Sequence, residues 1–273
     1  MNNNCPDILN KIVETKKIEL QNKTFSIKAL IKQIKLISQP LDFFSALKKQ
    51  KLAVISEIKK ASPSAGIISE NFQPNEIANA YIKGKTDAIS ILTDKNYFKG
   101  DINYIKELRE IITVPIIRKD FIIDEYQIYE ARAFGADSFL LIAAILTNKE
   151  IKKFLDLGRK LGMEPLVESH SKEEIFKCIE AGVKIFGVNN RNLHTFEVNI
   201  NTSAELFNLI PENALKVSES GIVDANNAHF LREIGYDAVL VGESLMRCGI
   251  NSVPNMINQF KNSEFITSAS SHK

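Results

Sequence analysis

Residues 52–66 read LAVISEIKKASPSAG, an apolar run that ends in two charges and a turn. Side chains alternate across a strand, so Glu57 and Lys59 point the same way as Ala53 and Ile55, while Ile58 points opposite. A strand apolar on both faces belongs to a parallel sheet covered by helices. Alone, an acid and a base on one face at a strand's end read as a solvated terminus, so the weight rests on whether other strands do the same.

Seven further runs alternate with amphipathic stretches downstream: DAISIL, VPIIRK, DSFLLIA, MEPLVE, KIFGVN, LKVSE and DAVLVG. They recur about every two dozen residues, the length of a βα unit. The helical patterns between them include EYQIYEARAFG and NKEIKKFLDLGRKLG, each closing on a glycine suited to a helix C-terminus. An eightfold βα alternation predicts an α/β protein, a (β/α)8 TIM barrel, and 273 residues suit one such domain. The rival, an open doubly wound sheet, calls for a G-x-G-x-x-G turn after its first strand, which SPSAG is not.

These patterns divide the chain into an N-terminal helical extension (1–51), the barrel (52–260) and a polar, serine-rich tail (261–273) expected to fray. In the extension, DILNKIVETKKIEL carries apolar side chains at Ile8, Leu9, Ile12 and Val13, and FSIKALIKQIKLI continues the theme. Such a segment either plugs the barrel bottom or folds over its mouth.

The formal charge of +2, with lysines scattered along the chain, gives no electrostatic case for nucleic acid or an anionic membrane. Cys5, Cys178 and Cys248 cannot all pair and lack metal-ligand spacing, which suits a reducing compartment. MNNNCPD has no signal-peptide character, and FLLIAAIL is too short to cross a bilayer. The expectation is a cytoplasmic protein, with a monomer as the default, that uses no metal and no cofactor.

In a TIM barrel the active site gathers at the C-terminal ends of the strands. Parity places Lys119 on one face with Ile117 and Phe121, Glu168 with Leu166, Asn189 with Gly187 and Ile185, and Glu219 with Val217 and Leu215. Together with Glu57 and Lys59, six polar residues from five strands converge on one mouth. Burying ionised groups costs several kcal/mol each unless they are paired, so stability does not explain the convergence and function does. Ser220-Gly221 after the seventh strand and Gly242-Glu243-Ser244 after the eighth supply small residues where a barrel usually holds phosphate, with Arg191 and Ser62 as further donors. His170, just beyond Glu168, is expected to be a loop histidine satisfied by backbone or water, and His194, His229 and His272 are assigned no role.

With these residues in place the chain resembles the indole-3-glycerol-phosphate synthase family. The resemblance rests on SEIKKASPSAG, SILTDKNYFKG, PIIRKDFIIDEYQIYEARAFGADSFLLI, GMEPLVE, GVNNRNL, VSESGI and LVGESLMR, in order over residues 52–247. It implies ring closure of 1-(2-carboxyphenylamino)-1-deoxyribulose 5-phosphate with loss of carbon dioxide and water. By resemblance, Lys119 is the general acid toward the ketone, Glu168 the acid/base group of dehydration, and Lys59 the partner of the substrate carboxylate. Glu57, Asn189 and Glu219 hold substrate hydroxyls and the lysines. The same resemblance makes Ser62, Gly221, Gly242 and Glu243 the border of the phosphate, Glu243 through its backbone, and Arg191 and Ser220 join the substrate-binding set. Phe98, Phe121, Leu140 and Leu193 wall the aromatic ring, and Ser90 and Leu240 complete the substrate-binding set. Ser169 departs from the family, standing where an apolar residue is usual next to Glu168. A related barrel enzyme, phosphoribosylanthranilate isomerase, needs a cysteine at the end of the first strand, and none lies there.

Overall fold

The computed structural model describes residues 7–262. Among them, eight parallel strands close into a barrel: β1 (Ala53–Ile58), β2 (Ala88–Leu92), β3 (Ile116–Lys119), β4 (Ser138–Ile142), β5 (Leu166–Ser169), β6 (Ile185–Asn189), β7 (Leu215–Glu219) and β8 (Ala238–Val241). Closure is made at β1, where Ile55 stands opposite Ala88 of β2 on one side and Leu240 of β8 on the other. Each of the eight runs picked out in the sequence forms its strand. Residues 261 and 262 differ slightly from expectation, since Lys261 closes the last helix and its ammonium pairs with Asp87 at 2.9 Å. The frayed tail expected beyond them lies outside the described residues, as do Cys5 and His272.

Strand alternation splits the core in two. Ala53, Ile55, Ala88, Ile117, Leu140, Leu166, Ile185 and Val217 fill the barrel interior. Their neighbours Val54, Ile89, Ile116, Phe139, Leu141, Val167 and Phe186 pack outward against the surrounding helices. Burial on both faces is why these strands read as continuous apolar runs. The helices end where the glycines said they would: Gly135 and Gly162, with φ of 99° and 80°, follow the helices Glu125–Ala133 and Asn148–Lys160. Both helices open with a capping box, Asp124 with Gln127 and Thr147 with Glu150, which satisfies amides that no helix can pair internally.

The extension does both things its sequence allowed. Its first helix, α1 (Asp7–Gln21), lays Ile8, Leu9 and Ile12 over the barrel mouth. Its second, α2 (Ile27–Ile34), runs beside the helix Glu125–Ala133, with Gln33 Nε2 donating to the Ala133 carbonyl at 2.8 Å. Its third, α3 (Phe43–Leu47), leads straight into the N-terminal end of β1, and its buried Phe43 and Leu47 join the interior cluster from below. The amide of Leu41, held by Asp137 at the start of β4, fixes that approach.

Candidate active site

The C-terminal strand ends and α1 enclose a cavity of about 550 Å³. Glu57, Lys59, Lys119, Glu168, Asn189 and Glu219 all line it, so the six residues that parity put on one face share one cavity. Lys119 Nζ sits 3.0 Å from Glu168 Oε2 and 2.5 Å from Glu219 Oε2. Lys59 Nζ holds Glu57 Oε1 at 2.7 Å, and Asn189 Nδ2 donates to Glu168 Oε1 at 3.1 Å. Two glycines make room for these carboxylates. A Cβ on Gly187 of β6 would overlap Glu219 Oε1, and one on Gly242 after β8 would overlap Glu57 Oε1.

Three carboxylates face two ammonium groups here, and the surplus charge has a visible consequence. Burial pulls the Lys119 ammonium down, but Glu168, Glu219 and Glu57 outweigh it and raise its pKa. Burial likewise pushes Glu168 up, yet Lys119, His170 and Asn189 hold it well below the ordinary carboxylate range. Glu219 goes the other way. Burial, only partly offset by Lys119 and reinforced by repulsion from Glu168 and Glu57, pushes it up to about 7. Its Oε1 is buried without a hydrogen bond among the described residues. Two neighbouring acids whose titrations are pushed apart are an arrangement suited to acid/base chemistry.

On the side of β2, β3 and β4 the wall is apolar: Phe98, Phe121 and Leu140, closed above by Ile8, Leu9 and Ile12, with Leu193, from the loop after β6, and Leu240 also on the lining. The Phe98 and Phe121 rings lie 6.0 Å apart at 40°. On the side of β7 and β8 the lining changes to Ser62, Arg191, Ser220, Gly221, Gly242 and Glu243. Ser220 and Gly221 both take left-handed backbone, with φ of 66° and 78°. Helix Glu243–Arg247 begins at this rim, and its first-turn amides have no partner within the helix. Arg191 Nη2 stands 3.8 Å from Glu243 Oε2.

Ser90 is not on the cavity lining. It shares the level of Glu57 in the sheet register, but its side chain is short, and Leu92 takes the lining position one step higher on the same face of β2. Ser169, the departure from the family pattern, turns away from the cavity toward Cys178 Sγ at 3.4 Å.

Two functional neighbours were missed. His170 is no solvent-satisfied loop residue: its Nε2 lies 3.2 Å from Glu168 Oε1 and its Nδ1 3.3 Å from Glu174 Oε2. Parity held the clue, since His170 is two residues beyond Glu168. Lys16 of α1 is buried, with Asp94 Oδ2 at 2.8 Å and Asp120 Oδ1 at 3.1 Å. Asp94 Oδ1 also accepts the amides of Tyr97 and Phe98, and Asp120 is flanked by Lys119 and Phe121, so one ammonium ties α1 to both aromatic walls. The clue was a lysine on the stripe of Leu9 and Ile12, where helical spacing predicts an apolar residue. Among the described residues, His, Cys, Asp and Glu side chains form no group suited to a metal ion. No described helix is long and apolar enough to cross a membrane.

A family profile described as indole-3-glycerol phosphate synthase matches residues 9–257. The protein of that name from Acetivibrio thermocellus is 46% identical over 259 residues, covering 93% of this chain and 99% of its own. The one from Sulfurimonas denitrificans is 50% identical over 205 residues, covering 75% and 78%. Among solved structures, thiamine phosphate pyrophosphorylase from Pyrococcus furiosus superposes with a TM-score of 0.56 at 16% identity, over 78% of this chain and 95% of its own. That likeness is one of fold.

Proposed function

The chain belongs to the indole-3-glycerol phosphate synthase family, and we propose which of its own residues carry each step of the reaction. It is a decarboxylating lyase that closes 1-(2-carboxyphenylamino)-1-deoxyribulose 5-phosphate to indole-3-glycerol phosphate. The observation that carries the assignment of roles is the Lys119 ammonium, set between two carboxylates of opposite titration inside a cavity with one apolar and one small-residue side.

The substrate's aromatic ring lies between Phe98, Phe121 and the α1 roof, and its phosphate lies against Gly221, Gly242 and the amides opening helix Glu243–Arg247. Lys59 grips the ring carboxylate, with Glu57 holding the ammonium in place. Lys119 donates to the ketone oxygen as the ring carbon attacks, because the bond formation that breaks aromaticity leaves growing negative charge there. The Lys119 proton stays on at working pH, so the donor is always loaded. Glu219, titrating near neutrality at 2.5 Å, returns a proton to Lys119 after transfer. Carbon dioxide then leaves from the attacked ring carbon. Lys119, reloaded, supplies the proton with which the former ketone oxygen leaves as water, and Glu168, kept ionised, takes the ring-carbon proton whose removal completes the indole.

The scattered charge and the thiol of Cys178, buried on its helix, support a cytoplasmic location. The isomerase alternative finds no support, because neither Cys178 nor Cys248 lines the cavity. The test is to mix the purified protein with the carboxyphenylamino-deoxyribulose phosphate and follow indole fluorescence without added metal or nucleotide. Turnover supports the assignment, and absence of product from folded protein contradicts it.

A further inference from the structure

His170 stands behind Glu168, off the cavity lining. Its Nε2 faces Glu168 Oε1 at 3.2 Å and its Nδ1 faces Glu174 Oε2 at 3.3 Å, while the same Glu174 oxygen accepts the His170 backbone amide at 2.8 Å. A neutral imidazole has one donor and one acceptor nitrogen, so it can satisfy only one of two flanking carboxylates. Nδ1 makes a hydrogen bond with Glu174, whereas Nε2 stands 3.2 Å from Glu168 Oε1 without hydrogen-bond geometry, so the contact with Glu168 is an ion pair, and two carboxylates this close favour the imidazolium. Burial works against that charge, but Glu168 and Glu174 outweigh it and lift its pKa to about 10.

The charged groups around the ring are mostly acidic. Glu168 comes from β5 and Glu174 from helix Lys172–Ala181, with Lys119 beyond Glu168. Lys177, one turn after Glu174, is turned away to the carbonyls of Ala143 and Leu146. The result is an alternating row: Glu174, His170, Glu168, Lys119, Glu219.

We propose that His170 is a positioning residue, an imidazolium hydrogen-bonded to Glu174 behind it and ion-paired with Glu168 in front, which holds the Glu168 carboxylate in place and keeps it ionised for the acid/base work assigned to it above. An imidazolium already carrying both protons cannot take the proton that Glu168 accepts. His170 therefore sets the strength of Glu168 and does not relay its proton. This rests on the reading of Glu168 as the acid/base group, so the test separates the two.

Nitrogen-15 NMR of the resting enzyme reports the ring directly. Both His170 nitrogens should remain protonated at pH 8, where an ordinary histidine is neutral, and in Glu174→Gln the ring should titrate lower. Kinetics report the consequence. In His170→Gln the acid limb of kcat should move up by about one pH unit, giving about a tenfold larger deficit at low pH than at high pH, with KM within about twofold of wild type. A merely structural histidine would lower activity uniformly with pH. A neutral ring at pH 8 overturns the proposal, as does an unmoved acid limb in a folded His170→Gln protein. Glu168→Gln, measured alongside, judges the role of Glu168 independently: if it turns over normally, the acid/base reading fails whatever the ring's protonation. Should His170→Gln not fold, the Glu174→Gln titration and its smaller shift of the acid limb in the same direction decide the matter.

Discussion

Lys119 and Lys16 are both buried ammonium groups held among carboxylates, Glu168 and Glu219 around the first and Glu19, Asp94 and Asp120 around the second, and only Lys119 borders the cavity. Lys16 and Asp120 both shift in the direction that pairing favours. Burial opposes Lys16, but Asp120 and Asp94 raise its pKa, and Arg118 and Lys16 overcome the burial of Asp120 to lower its own. Around Lys119 the charges do not balance, and Glu219 is driven upward while Glu168 is driven down. In the Lys16 cluster, Lys16 and Arg118 share Glu19, Asp94, Asp120 and Glu130, and these ion pairs join α1 to the loops after β2 and β3. The Lys119 cluster is left one charge short, with a carboxylate oxygen unpartnered in a glycine niche. The contrast teaches that buried charge marks an active site where a carboxylate beside a cavity is driven against its pairing, whereas buried charges shifted with their pairing mark architecture.

The sharpest way to break this contrast is to remove each ammonium in turn. Lys119→Met should lower kcat by about 10²–10⁴-fold with the fold intact, since a positioned acid contributes that much. Lys16→Met strands Asp94 and Asp120 and should cost about 3–5 kcal/mol of stability, the usual penalty for breaking a buried pair, read as a lower denaturation midpoint. Its kcat should hold at temperatures where it stays folded, while KM rises as the aromatic walls loosen. If Lys16→Met loses kcat as Lys119→Met does, the division between the clusters collapses.

A smaller effect belongs to Gly242. Because even a methyl group there meets Glu57 Oε1, with Lys59 Nζ 3.1 Å away, Gly242→Ala should disturb carboxylate capture and phosphate seating together and raise KM about tenfold, about 1.4 kcal/mol. Unchanged substrate affinity in the folded variant would remove this rim from the site. The mildest test is pH. Asp120, with its pKa lowered from 3.8, contributes stability present above that value and lost as pH falls through the lowered one. Glu219, raised from 4.5 to about 7, binds its proton more tightly in the folded state, so stability declines as pH rises between those values. Glu219→Gln should abolish that decline, worth at least about 1 kcal/mol, while leaving the acid side unchanged. Equilibrium denaturation at pH 5 and pH 8 measures it.

How much of this could be read from the chain follows from the range of the forces involved. Strand alternation is local, so LAVISEI and its seven counterparts disclosed both the barrel and the six residues at its mouth. Ser90 shows the limit: parity puts it inside, but only the relative reach of Ser90, Leu92 and Glu57 decides which of them meets the cavity. Lys16 reaches Asp94 and Asp120 across more than seventy residues of sequence, and nothing in α1 names those partners. His170 lay within reach of the parity rule, but its second partner, Glu174, arrives by a helix turn that strand alternation does not describe.

Single-turnover kinetics, with carbon dioxide release followed separately from indole formation, test the central role of Lys119 most directly. In Lys119→Met both signals should be lost together, because ring closure precedes both. In Glu168→Gln carbon dioxide release should outrun the indole signal, because closure is spared more than dehydration. A Lys119→Met protein that releases carbon dioxide and forms indole at the wild-type rate would contradict the assignment of Lys119 as the proton donor of ring closure.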